Sequence, residues 1–279
     1  MVSNADYVLP ADLMTDALKA AEKKATLSIR SMVLRGGLSG ALLAFATAFA
    51  WKGIAGIPPS QGSLIAGLVF PVGFAMITLL GLELVTGNFA ILTLGVLRGK
   101  VSLRDLIKNW SWVMLGNLIG SIFFGVLLAF TLTNGSFRSS DPLGQKIVEV
   151  AVAKTTHYAE SGAAGWWTAF IKGVLCNWMV AFGSVLGMTS RSAVGKVVAI
   201  WLPISIFFAL GFEHSVVNMF VIPTGILLGA KVTIAQWLIW NQLPVTLGNI
   251  LGAALLVAAT LHFSQPIEEK KNEVSTSQS

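Results

Sequence analysis

The stretch GFEHSVVNMFVIP, Gly211 to Pro223, sets a glutamate and a histidine side by side in one of the most apolar parts of the chain. The flanking runs, VVAIWLPISIFFAL and VVNMFVIPTGILLGA, add no charge before Lys231. A bilayer core about 30 Å thick is crossed by about 20 helical residues. Residues 197–228 exceed that length, so this segment is expected to be two half-helices meeting at the polar centre rather than one long span. A second segment, 63–98, is too long in the same way and is interrupted by GLELVTGN.

Composition agrees. With 54% hydrophobic residues, 11% charged residues and a mean hydropathy of +0.75, the 279-residue chain is outside the range of soluble domains and is read as an integral membrane protein. Six spans are expected, at about 33–51, 63–98, 107–131, 165–189, 197–228 and 237–262, the second and fifth broken. The single cysteine, Cys176, lies in an apolar segment and has no partner for an internal disulfide. The first 30 residues carry four acidic groups and no short apolar core with a cleavage site, so they are not read as a signal peptide. From Pro10 they read instead as an amphipathic helix lying on the membrane surface, with Leu13, Met14, Ala17, Leu18, Ala21 and Ala25 on one face.

Basic residues orient the spans, because positive charge in short loops stays on the cytoplasmic side. Thirteen of the 19 Lys and Arg residues fall in one set of compartments, among them Lys24, Arg35 and Lys100, and both termini belong to that set. The net charge of +6 is therefore a topology signal, and a nucleic-acid partner has no folded basic surface to bind. The chain is divided into a cytoplasmic N-terminal amphipathic helix at 1–32, a transmembrane domain at 33–262 and a polar cytoplasmic tail at 263–279, in a cell membrane of plasma or inner type.

The two halves of the transmembrane domain repeat each other. GLELVTGNF at 81–89 answers GFEHSVVNMF at 211–220, LGNLIG at 115–120 answers LGNILG at 247–252, and RGGLSGALLAF at 35–45 aligns loosely with KGVLCNWMVAF at 172–182. The offsets are nearly constant, at 130, 132 and 137 residues. Repeat one is placed at about 33–131 and repeat two at about 165–262. Three spans per copy is an odd number, so the copies run in opposite senses, and inverted repeats with broken helices build substrate sites near the midplane. Close packing of small residues is an alternative reason for LGN-x-x-G to recur.

These stretches resemble the formate/nitrite transporter family over residues 10–262, most strongly in GFEHSVVNMFVIP, then in GVLCNWMV at 173–180 and in KNW with LGNLIG at 108–120. Leu82 and Val85 in the first loop, and the Val180–Ala181 pair after Asn177, depart from the family's usual residues. The resemblance implies an all-α, aquaporin-like fold, a homopentamer with one pore per protomer, and passage of small monovalent anions such as formate, nitrite, hydrosulfide, lactate or acetate. It implies a central pore histidine at His214, faced by Thr86, with Asn177 and Asn218 holding the histidine and the loops. It implies anion-attracting lysines at Lys24 and Lys154, and apolar constrictions formed by Phe70, Phe74, Leu84, Val180 and Phe207.

Physical chemistry supports such a site. An anion in hydrocarbon must have its charge compensated or removed, by half-helix N-termini and backbone N–H groups or by a proton. Histidine serves either route. Glu83 and Glu213 recur beside both breaks and are read as structural loop acids that cap freed backbone N–H groups. Lys172, in mid-span, is read as snorkelling to the outer surface. The expected function is a channel or transporter for formate, proton-coupled through His214. A nitrite or hydrosulfide channel of the same family, or a neutral-solute channel of the water or glycerol type, are the alternatives. No catalytic constellation, metal site, cofactor motif or nucleotide-binding glycine loop is found, so an enzyme is not expected.

Overall fold

The computed structural model describes residues 6–136 and 141–265. Most of the predicted polar tail lies outside the described residues. Among those that are described, the regular secondary structure is helical apart from one isolated backbone bridge between Tyr7 and Ser190.

Helix α1 (Pro10–Ala25) begins on a proline, whose fixed φ suits a first turn. Its apolar face does not rest on lipid: Met14, Ala17, Leu18 and Ala21 are buried, and Met14, Ala17 and Leu18 pack with Leu94 and Ala258 of the channel. The surface-lying expectation is corrected for that reason, since burying these side chains against protein satisfies the same hydrophobic face. Among the described residues, five helices are long and apolar enough to cross a membrane: α2 (Ile29–Gly53), the pair α3 (Pro59–Val69) and α4 (Pro71–Leu79), α6 (Leu103–Thr133), α9 (Gly162–Leu186) and the final helix at Ile234–Ser264. Shorter half-spans complete the set: α5 (Val85–Leu97), α10 (Ala193–Ala209) and α11 (Ser215–Leu227). The final span, α12 (Ile234–Ser264), has two π-helical stretches, one of which carries the buried Asn241. This is an integral membrane protein, and its spans show Phe45, Phe49, Phe123, Leu127 and Leu202 on the outside, as surfaces facing lipid or another protomer do.

The two breaks share one geometry. After α4 the Gly81 N–H donates to Thr78 and the Leu82 N–H to Ile77; after α10 the Gly211 N–H donates to Phe208 and the Phe212 N–H to Phe207. Each glycine sits at positive φ, 62° and 66°, which a side chain would strain. Beyond each turn the chain starts a new helix.

The repeat extends further than three spans. Between α6 and α9 the chain forms α7 (Pro142–Ala153) and α8 (Thr156–Glu160), which hydropathy did not separate from the loop. Helix α7 packs on α11 as α1 packs on α5, and the two lysines that answer each other stand at the ends of these helices, Lys24 in the last turn of α1 and Lys154 at the C-cap of α7. The LGN glycines are also contact points: a Cβ on Gly116 would come within 2.6 Å of the Val33 carbonyl, and one on Gly248 would run into the Phe170 carbonyl. Duplication and close packing thus act at the same residues.

Candidate functional site

The N-termini of α5 and α11 meet in the middle of the molecule. Leu84 occupies the N-cap position of α5 and His214 that of α11. A helix start leaves several N–H groups without intrahelical partners and carries partial positive charge. In α11 the His214 ring supplies one partner itself, its Nδ1 accepting from the Val217 N–H at 3.2 Å. Its Nε2 lies 3.1 Å from Thr86 Oγ1, and both residues are buried. Because Nδ1 accepts, a neutral ring carries its proton on Nε2 and donates it to Thr86. At the matching position of α5 the leucine offers no acceptor. No partner among the described residues is found for the Thr86 and Gly87 N–H groups.

Asparagines, rather than glutamates, cap the other freed amides. Asn117 on α6 accepts from the Val85 N–H at 3.0 Å and donates to the Gly36 and Glu83 carbonyls. Asn249 on α12 accepts from the Ser215 N–H at 2.9 Å and donates to the Gly173 and Glu213 carbonyls. The expectation that Glu83 and Glu213 cap backbone N–H groups is therefore corrected. Their carboxylates take side-chain donors instead, since an ionised carboxylate in apolar surroundings needs a cation. Lys24 Nζ reaches both oxygens of Glu83 at 3.0 Å, and Lys154 Nζ reaches Glu213 at 2.6 Å. Asn88 and Asn218 donate to Glu83 and Glu213, and also to Asn109 and Asn241, which in turn donate to the Lys24 and Lys154 carbonyls. Repeat two adds two donors to its glutamate, the Tyr158 hydroxyl at 2.9 Å and the Asn241 amide at 3.3 Å from Glu213. Tyr158 lies outside the spans; burial, and then the charge and hydrogen bond of Glu213, push its phenol well above the usual range, so it remains a donor.

Two cavities approach this centre. One of about 250 Å³ is lined by Lys23, Lys24, Arg35, Phe74, Leu84 and Gly87, among others. The other, about 330 Å³, is lined by Lys154, Tyr158, Lys172, Phe207, Glu213 and His214. Leu84 faces the first and His214 the second, and the buried Thr86–His214 contact lies where the two half-helices meet. Aromatic rings continue the barrier. Phe207 lies over the His214 ring with centroids 5.6 Å apart, Phe70 meets Phe207 edge-on at 5.6 Å, and Phe70 stacks on Phe208 at 3.9 Å.

Of the residues expected at the site, Thr86, His214, Phe70, Phe207, Leu84 and Phe74 are brought to this centre or to the cavity walls. Val180 is fully buried and lines neither cavity. Neither Asn177 nor Asn218 hydrogen-bonds the histidine ring: Asn177 donates to the Thr86 and Asn249 carbonyls, and Asn218 meets His214 through the backbone, its N–H donating to the His214 carbonyl at 3.0 Å. Lys172 does not snorkel outward but lines the cavity beside His214. Asn88, Asn109, Asn117, Asn241, Asn249 and Tyr158 were not named as site residues. The recurring LGN, and an asparagine next to tryptophan in both KNW and WNQ, are the signals that would have found four of them.

A model of the formate/nitrite transporter family matches residues 11–263. The chain belongs to the formate/nitrite transporter family. Among curated relatives, a probable formate transporter of Methanothermobacter thermautotrophicus is 39% identical, over 89% of this chain and 94% of that one. A solved structure described as an FNT family ion channel matches with a TM-score of 0.81 at 28% identity, over 91% of this chain and 99% of that one. A pentameric formate channel with formate bound matches with a TM-score of 0.68 at 27% identity, covering 83% and 95%. The inverted halves, the paired breaks and the central Thr86–His214 contact of this formate/nitrite transporter family channel are thus set in a fold shared with known channels.

Proposed function

We propose that this protein conducts small monovalent anions, formate first, through the centre built by Thr86 and His214. The observation that carries the reading is the 3.1 Å contact of His214 Nε2 with Thr86 at the meeting point of two half-helix N-termini, with a cavity lined by basic residues on either side. Formate carries one charge, and the opposed helix ends, the free amides of Thr86 and Gly87 and the Nε2–H supply donors where that charge would otherwise be unbalanced. Phe207 and Leu84 present apolar surface between the two cavities, so an anion that passes them exchanges hydration for these donors.

Proton coupling through His214 fits the same geometry in two steps. The ring first takes a proton from the cavity at Nδ1, displacing the Val217 N–H, and then releases one from Nε2 to the anion, which crosses as the neutral acid. Lys24 and Lys154 line the two cavities, each with its charge offset by a glutamate. The assembly is a homopentamer with both termini in the cytoplasm of a cell carrying the channel in its plasma or inner membrane; the likeness to the pentameric formate channel supports the first part and the loop charges the second. Uptake of labelled formate into proteoliposomes, with nitrite or hydrosulfide as competitor and glycerol as a neutral control, tests the reading. Formate entry above that of empty vesicles, with glycerol excluded, is expected; glycerol entry without formate entry would overturn it.

A further inference from the structure

We propose that Lys172, with Arg35 as its counterpart in the opposite cavity, supplies the uncompensated positive charge that loads anions into the pore. The inference rests on the anion-channel reading and assigns loading to different residues from those expected. A cation held by a carboxylate presents little net charge to an approaching anion, and three lysines on the side of the second mouth are held in this way. Lys154 pairs with Glu213, Lys146 with Glu149 and Lys52 with Asp141. Lys172 has no carboxylate partner among the described residues, only the Tyr158 ring at 5.9 Å. It is half-buried in the wall of the cavity that contains His214. An amine within a membrane-spanning helix and aimed into the protein is costly unless a ligand or water meets it.

Internal symmetry provides a second, independent argument. Lys172 stands immediately before Gly173, whose carbonyl accepts from Asn249, and Arg35 immediately before Gly36, whose carbonyl accepts from Asn117. The two basic residues therefore occupy the same place in the two repeats. Arg35 lines the cavity on the Leu84 side, where Lys24 is held by Glu83 while Arg35 and the exposed Lys23 have no acid partner among the described residues. The pore centre is asymmetric, histidine against leucine, but each approach retains one unpaired cation at an equivalent position on its first unbroken span.

Steering by such a charge raises capture at low concentration and is weakened by salt, whereas saturated flux is set at the constriction. The test is [14C]formate uptake into proteoliposomes carrying wild type, Lys172→Gln, Lys172→Arg and Arg35→Gln. Salt of an impermeant anion is raised from about 10 mM to about 1 M, over which the screening length falls from about 30 Å to about 3 Å. For Lys172→Gln the concentration for half-maximal uptake is expected to rise roughly threefold to tenfold at low salt, with saturated flux kept and the salt dependence flattened. Lys172→Arg should behave as wild type, which separates charge from folding. A Lys172→Gln channel with wild-type half-saturation and salt dependence overturns this inference alone. Wild-type vesicles that carry no formate above empty ones overturn the anion-channel reading together with it.

Discussion

At the scale of single residues, the two members of the Glu213–His214 pair do separate work. The histidine is a helix cap and, in the proposed pathway, also the pore group, its two nitrogens divided between the Val217 amide and Thr86. The glutamate is an anchor for Lys154, Asn218 and Tyr158. Its ion pair is unequal, because the Glu213 side chain is 2% exposed and that of Lys154 15% exposed. Removing the lysine strands a buried carboxylate, whereas removing the acid leaves an amine that can turn to the cavity. Lys154→Met is therefore expected to lower stability by about 3–5 kcal/mol and Glu213→Gln by clearly less, measured by unfolding in detergent. Equal losses would mean that burial does not govern the pair. Tyr158 offers a separate check: in a Tyr7→Phe background it is the only tyrosine left. Its raised pKa means that phenolate absorbance should not develop as pH rises through about 10, the range in which a free tyrosine ionises. The Glu213→Gln change should bring that ionisation to lower pH.

At the scale of elements, the half-helices are held open by asparagines on the neighbouring spans. Each Asn117 or Asn249 side chain satisfies one amide and two carbonyls at a break, groups that hydrocarbon cannot serve. Asn249→Ala leaves all three without that partner, and a loss of about 2–5 kcal/mol is expected in the same unfolding assay. Ahead of α1, Asp6 joins the N-terminal segment to the loop after α9. Its carboxyl is held below the ordinary value of 3.8, chiefly by the Ser190 hydroxyl and then by the Ser192 N–H, outweighing the opposing effect of burial. A depressed carboxyl pKa contributes stability that is present above the unfolded value and lost as pH falls through the folded one. The segment should therefore stay docked at neutral pH and loosen only below about pH 4. Hydrogen exchange at the Val8 amide, which donates to the Thr189 carbonyl at 2.8 Å, reads this directly. Asp6→Asn should remove the dependence.

At the scale of the whole molecule, the sequence shows most clearly what depends on contiguous residues. The spans, both breaks and the inverted halves are visible because apolar runs and a repeated acid lie within short windows. Helices α7 and α8, 12 and 5 residues long, are too short to stand out as spans and merge into a loop by hydropathy, which hides that α1 and α7 are equivalent parts of the two repeats. The lysine–glutamate pairs are not legible at all, since their members stand 59 residues apart in both halves and meet only once the helices pack. Lys172 was misread for a similar reason: a lysine in mid-span looks the same in sequence whether it faces lipid or a cavity. What the packing adds is a near-symmetric frame of asparagines and ion pairs with one asymmetric centre, where histidine replaces leucine. The account depends on that centre. Its most direct test is formate flux into proteoliposomes under an imposed inward proton gradient, comparing wild type with His214→Phe at equal protein density. Wild-type flux should rise with the gradient, and the variant should lose the gradient-driven part by about tenfold or more. Unchanged gradient-driven flux in His214→Phe would contradict the role given to His214 and the proton route built on it.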